Sequence, residues 1–136
     1  MQHVFVYGTL RAGEVNDIGI AAARNGVAAP ALIGTASVHG RLFDFGDYPG
    51  LVVDPGDPAA RPVVGDVYEI DDALVAVLDE IEEVYPGVEG LFLSRETEVE
   101  VGGARVRCRF YPVARESVKG LREITSGDWV AWRQNR

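Results

Sequence analysis

What most constrains this chain is that its apolar residues come in strand-length runs, each soon closed by glycine or another turn former. Val4-Phe5-Val6-Tyr7 is the first, and Gly8 ends it, the pattern of a buried strand leading into a turn. Ala31 to His39 and Arg41 to Phe45 read as strands interrupted at Gly40, and Val63 to Ile70 reads as another. Glu98-Val99-Glu100-Val101 alternates as a half-exposed strand does, within a span that begins at Glu96. Gly102-Gly103 then predicts a tight hairpin into a strand over Ala104 to Val113. Asp47 to Pro62 holds four prolines and reads as loop, with a short strand at Leu51-Val52-Val53.

Helical signals are fewer. Asn16 to Arg24 is Ala-rich, with Asn16 or Asp17 as its cap. Asp71-Asp72 caps a helix running to about Glu83, and Pro86-Gly87 follows its end. Ser126-Gly127-Asp128-Trp129 predicts a turn before a short last helix. Many strands and few helices make the class α+β, a small mixed β-barrel or curled sheet. The 136 residues contain no repeat and no linker, so residues 1–136 read as a single domain.

The net charge of −8, from 21 acids against 13 bases, argues against nucleic acid as a partner, because phosphate neutralisation requires a basic face. No apolar run approaches the roughly 18 residues that would span a bilayer. Met1 to Phe5 reads as the start of the first strand rather than as a signal peptide. Cys108 is the only cysteine, which precludes an internal disulfide and points to a reducing, cytoplasmic setting. Between Arg107 and Arg109 it could be an activated thiolate, but an inward-packed strand residue is the simpler reading. His3 and His39 lack companions at ligand spacing, so no metal site is expected. Asp54-Pro55-Gly56-Asp57 lacks the calcium-loop pattern. Ser94, Ser117 and Ser126 lie outside any nucleophile elbow, and no cofactor motif is present. Trp129 and Trp132 read as a core or edge patch.

Two features carry chemistry. A strand that stops at Gly8 and continues Thr9-Leu10-Arg11-Ala12-Gly13 presents a row of backbone N–H groups that can cradle a carboxylate, while its glycine allows close approach. The second is the acid-rich helix with Asp71, Asp72, Asp79, Glu80, Glu82 and Glu83. At roughly 100° per residue, Leu74, Val75, Val77, Leu78 and Ile81 form the buried stripe. Asp79, Glu80 and Glu83 fall roughly 130° or more from its centre, on a solvated face, whereas Glu82 falls about 70° away. A carboxylate on that shoulder is partly desolvated and holds its proton more tightly, which suits general acid–base work.

The segment from Val4 to Gly13, with Asn16 close behind, resembles the signature of the γ-glutamyl cyclotransferase-like family. Gly40-Arg41-Leu42-Phe43-Asp44, Tyr48-Pro49-Gly50, Gly65-Asp66-Val67-Tyr68, Leu78-Asp79-Glu80-Ile81-Glu82 and Gly127-Asp128-Trp129 are similar to family landmarks in the same order. The resemblance implies the family's fold and a cofactor-independent enzyme acting on a small γ-glutamyl amine or peptide. Its products would be 5-oxoproline and a free amine. Tyr7, Gly8, Thr9 and Leu10 would bind the glutamyl part, Glu82 would be the general base and acid, and Tyr111 is a further candidate for the pocket wall. Two positions depart from the pattern. Glu83 stands where many relatives have glycine, and Leu93 and Ser94 stand where a tyrosine often precedes the arginine matched by Arg95. They motivate the alternative, a non-catalytic module binding a carboxylate or amine on the same fold; a third reading is an acidic interaction domain with no pocket.

Overall fold

The computed structural model describes residues 1–82 and 91–135. Strand β1 (Gln2–Val6) pairs antiparallel with β4 (Arg61–Ile70), Val4 opposite Tyr68. On its other edge it runs parallel to β6 (Ala104–Phe110), with Val4 beside Arg109. Beyond β4 lie β2 (Ala31–Asp44) and β3 (Pro49–Val52), and beyond β6 lies β5 (Arg95–Val101), all antiparallel to their neighbours. The result is one mixed six-stranded sheet of order β3-β2-β4-β1-β6-β5. Helices α1 (Ile18–Arg24), α2 (Asp72–Ile81) and α3 (Trp129–Asn135) and a 3-10 turn (Arg115–Val118) complete an α+β fold.

The sheet curls on itself. Three strands separate β2 from β5 in the ladder, yet a Cβ on Gly34 of β2 would stand 2.9 Å from Val101 Cγ1 of β5. β1 is buried on both faces, and period-2 alternation sends its side chains into two different cores. Phe5 and Tyr7 enter the interior of the curl with Leu42, Leu51, Val67, Phe110 and Trp129. Val4 and Val6 meet Ile18 and Ala22 of α1 and Leu74, Val75 and Leu78 of α2 on the other side. Each such side chain contributes about 1.5–3 kcal/mol on burial, so the end of β1 is among the best-anchored points of the molecule.

The helix starts follow the capping residues. Asp17 accepts from the Gly19 N–H and Asp71 from the Leu74 N–H. Gly102 and Gly103 both take positive φ in the β5–β6 hairpin, as a two-residue turn requires. Two expectations need correction. Gly40 does not interrupt a strand: β2 runs through it, paired with Arg61. Its glycine serves a close approach instead, since a Cβ there would lie 2.6 Å from the Val52 carbonyl oxygen of β3. The last strand ends at Phe110 rather than Val113, because Pro112 has no N–H to continue a ladder. Helix α2 ends at Ile81, with Glu82 as its C-cap; Glu83 and Pro86-Gly87 lie outside the described residues. No helix among the described residues is long and apolar enough to cross a membrane.

Candidate active site

A cavity of about 400 Å³ opens where β1 runs out, bringing together the ends of elements distant in sequence. Tyr7, Gly8, Thr9 and Leu10 line it from the β1 side, Glu82 and Ile81 from the end of α2, and Tyr111 from beyond β6. Tyr48 and Pro49 come from the start of β3, with Leu91 and Phe92 beside them. All six residues singled out in the sequence therefore border one space.

They do so in different ways. The Tyr7 side chain turns inward, where its hydroxyl donates to the Tyr111 carbonyl at 2.7 Å and accepts from the Leu51 N–H at 3.1 Å. Burial pushes this phenol far above its ordinary range, so it stays protonated. It acts as a clasp between three segments rather than as a polar group offered to a ligand. Leu10 buries its side chain among Ile18, Ala22 and Leu74. What the loop offers the cavity is backbone. Among the described residues, the N–H groups of Gly8, Thr9 and Leu10 find no acceptor, and unpaired backbone donors at a cavity wall are suited to an anionic ligand.

The loop is pinned from several sides. Its own turns close through Arg11 N–H to the Gly8 carbonyl and Asn16 N–H to the Thr9 carbonyl, both 3.0 Å. Asp66, almost fully buried on β4, accepts from the Ala12 N–H at 3.1 Å and pairs with the Arg11 guanidinium at 3.5 Å. Asp128 takes the other arm of Arg11 at 3.3 Å. Asp17 accepts from the Gly13 N–H at 2.7 Å while also capping α1. Buried Glu14 holds Arg133 of α3 by two hydrogen bonds, 2.9 and 2.6 Å. Gly8 is required by proximity, not by φ: a Cβ there would meet Pro49 Cγ at 2.7 Å and Cδ at 2.8 Å.

Across the cavity stands Glu82. It is half-buried and, among the described residues, its carboxyl has no hydrogen-bond partner. Loss of hydration pushes it up from the ordinary 4.5 to about 7. It is thus poised to take and return a proton near neutrality.

Two other residues of α2 depart from the wheel. Ile81 does not join the core stripe; it is 40% exposed and faces the cavity. Asp79 is not simply solvated, since it accepts the Tyr111 hydroxyl proton at 2.7 Å. Both follow from where α2 ends, with its last turn beside a cavity instead of over the sheet. Burial and the Asp79 hydrogen bond push the Tyr111 phenol well above its usual range. Cys108 is inert, its thiol pushed up to about 11 by burial. Trp129 is a core residue, and Trp132 donates its indole N–H to Asp44 at 2.9 Å. No cluster of His, Cys, Asp and Glu among the described residues could hold a metal ion.

Sequence reasoning missed the roles of Asp66, Pro49 and Asp79. A signal was available for Asp66, an acid inside the apolar run Val63 to Ile70, where an unpaired charge would be costly. None marks Pro49, whose importance depends on a contact with Gly8 across the chain.

The family model described as gamma-glutamyl cyclotransferase, AIG2-like, matches residues 4–131. The chain belongs to that family. Among its relatives, the gamma-L-glutamyl-butirosin B gamma-glutamyl cyclotransferase of Niallia circulans is 36% identical over 136 residues, covering 98% of this chain and 78% of the other. In structure the chain resembles YkqA from Bacillus subtilis, with TM-score 0.70 and 27% identity over 98% of its own length. It spans only 41% of that longer protein. An AIG2-like protein from Mus musculus matches with TM-score 0.68 and 28% identity, covering 84% of this chain and 78% of that one. Within this cyclotransferase-family chain, the cavity at the end of β1 is the candidate active site.

Proposed function

We propose that the chain cyclises a γ-glutamyl amine or peptide, releasing 5-oxoproline and the free amine. One observation carries this reading: Glu82, the carboxyl with raised proton affinity, shares a cavity with the unpaired amides of Gly8, Thr9 and Leu10.

The amides hold the substrate's α-carboxylate. Ionised Glu82 takes a proton from the substrate's α-ammonium group, and the freed amine attacks the γ-carbonyl. The new C–N bond closes the five-membered ring. As the tetrahedral intermediate collapses, the former amide C–N bond breaks, Glu82 returns its proton to the leaving nitrogen and the ring nitrogen sheds its second proton to the departing amine, so the products are the neutral lactam and the amine as its ammonium ion. No water is consumed, and Glu82 ends in the state in which it began. Nucleophile and electrophile belong to one molecule, so the site has only to fold the substrate, a proximity effect. One carboxyl serves as base and then acid, which requires neither a nucleophilic side chain nor a cofactor.

The test is 5-oxoproline release from a γ-glutamyl alkylamide, followed by mass spectrometry. We expect wild type to form it. Glu82→Gln should keep its circular dichroism spectrum and lose at least about a thousandfold in kcat. Full activity in that variant would sink the assignment. Saturable binding of the amide by wild type without oxoproline would instead favour a binding module.

A further inference from the structure

The substrate loop and the last helix are joined by charge. Glu14 lies midway along the loop with its side chain only 3% exposed, and among the described residues its carboxylate has a single partner, Arg133 of α3. Nε donates to one oxygen at 2.9 Å and Nη2 to the other at 2.6 Å, a fork that fixes direction as well as distance. A second link runs beside it. Arg11 reaches Asp128 Oδ1 at 3.3 Å, and the same oxygen accepts the Ala131 N–H at 3.2 Å at the start of α3. The helix itself is firmly seated, with Trp129 fully buried in the interior of the curl and Trp132 tied to Asp44.

Backbone turns carry the position of Glu14 to the cavity. The Glu14 N–H donates to the Arg11 carbonyl at 3.1 Å, and the Arg11 N–H donates to the Gly8 carbonyl at 3.0 Å. One turn begins on the residue where the other ends, so a shift at Glu14 is passed to Gly8, Thr9 and Leu10 at the cavity wall. Deleting one partner of a buried ion pair leaves the other charge uncompensated. Glu14 would regain hydration only by leaving its seat, and its backbone would move with it. Asp66 and Asp17 still hold the Ala12 and Gly13 N–H groups, so the loop would shift without coming loose. Glu82, on another element, would keep its place.

We infer that Arg133 is a positioning residue for substrate binding: acting through Glu14, it sets where the amides of Gly8, Thr9 and Leu10 meet the substrate carboxylate. This rests on the cyclotransferase reading and extends its binding apparatus to the last helix.

The experiment pairs kinetics on a γ-glutamyl alkylamide with NMR of the loop amides. Arg133→Ala should raise KM about tenfold or more, leave kcat within about twofold, and move the Gly8, Thr9 and Leu10 resonances. Arg133→Lys keeps the charge but loses the fork, and should fall between wild type and Arg133→Ala; it carries the same comparison if the alanine variant fails to fold. Ethylguanidinium added to Arg133→Ala should restore both KM and the resonances, and ethylammonium at equal concentration should restore less. Because the two residues act in series, Glu14→Gln with Arg133→Ala should raise KM no further than the worse of the single variants. Gln134→Ala, at an exposed neighbouring position of α3, should match wild type. Wild-type KM in Arg133→Ala would overturn the inference and leave the cyclotransferase reading standing. So would KM and kcat failing together without rescue by ethylguanidinium. Absence of oxoproline from wild type would overturn the cyclotransferase reading; loop resonances indifferent to Arg133→Ala would then overturn the positioning role as well.

Discussion

The Tyr111 hydroxyl donates its proton to Asp79 Oδ1 at 2.7 Å, tying the segment after β6 to the last turn of α2 just ahead of Glu82. With the proton committed to Asp79, the phenol oxygen keeps its lone pairs free to accept. On the proposed mechanism, Tyr111 would receive an N–H from the substrate ammonium while it steadies the helix end that precedes Glu82.

Removing either partner should have the same signature. Tyr111→Phe and Asp79→Ala should each cost about 1–2 kcal/mol in urea unfolding. Both should lower kcat more than they raise KM, because a base displaced by even a fraction of an ångström is poorly placed. Asp79→Asn keeps an accepting oxygen at the same place and should recover most of the loss. Wild-type kcat in Asp79→Ala would show that the pair is only a surface contact.

If Glu82 is the base proposed above, it links activity to pH with a definite sign. Its folded value of about 7 lies above the ordinary 4.5, so between those values the folded chain binds more protons than the unfolded one. Stability contributed by the protonated carboxyl is complete below about 4.5 and is lost as pH rises through 7. Glu82→Gln cannot ionise and escapes that loss. It should therefore melt higher than wild type at pH 8 by the equivalent of about 1–2 kcal/mol, after allowing for solvent access, with the gap closing near pH 4. The activity runs the other way: kcat/KM of wild type should rise with pH through a limb near 7. A melting gap independent of pH would remove the desolvation argument.

Tyr7 makes a different prediction, because its phenol is a joint and not a reagent. Tyr7→Phe keeps the ring but leaves the Leu51 N–H and the Tyr111 carbonyl without their shared partner in a dry interior. Orphaned buried groups cost roughly 1–3 kcal/mol. The urea midpoint should fall accordingly, and amide exchange at Leu51 should speed up more than at strand positions remote from it. An unchanged midpoint would mean that water replaces the hydroxyl.

Local rules carried the fold a long way. Alternation along β1, the caps at Asp17 and Asp71 and the Gly102-Gly103 hairpin each depend on neighbours within a few residues, so the sequence displays them directly. The partial burial of Glu82 was legible for the same reason, through its angle on a helical wheel. The wheel failed at Asp79 and Ile81 because it assumes one buried side facing one core, whereas the end of α2 borders a cavity. Gly40 misled because a glycine that permits close approach looks identical in sequence to one that ends a strand. The clasp of Tyr7 joins residues 44 and 104 positions away, a relation that no local pattern encodes.

Gly8 and Pro49 provide the sharpest test of the loop, because their coupling is steric and reciprocal. The φ of Gly8 is not positive, so alanine is allowed there by the backbone and fails only through Pro49, whose ring atoms lie 2.7 and 2.8 Å from the position its methyl would take. Pro49 belongs to β3 and is held in the ladder opposite Asp44, so the loop must yield instead. Its amides then move away from the substrate carboxylate while Glu82, on another element, stays in place. Gly8→Ala should accordingly raise KM by about tenfold or more, with a smaller change in kcat. Pro49→Ala removes the ring carbons that create the clash. The double variant should therefore bind better than Gly8→Ala alone, giving a coupling energy of about 1 kcal/mol or more in a double-mutant cycle. Strict additivity of the two substitutions would mean that the loop is held by Asp66, Arg11 and Asp17 alone and that the contact with β3 does not shape the site.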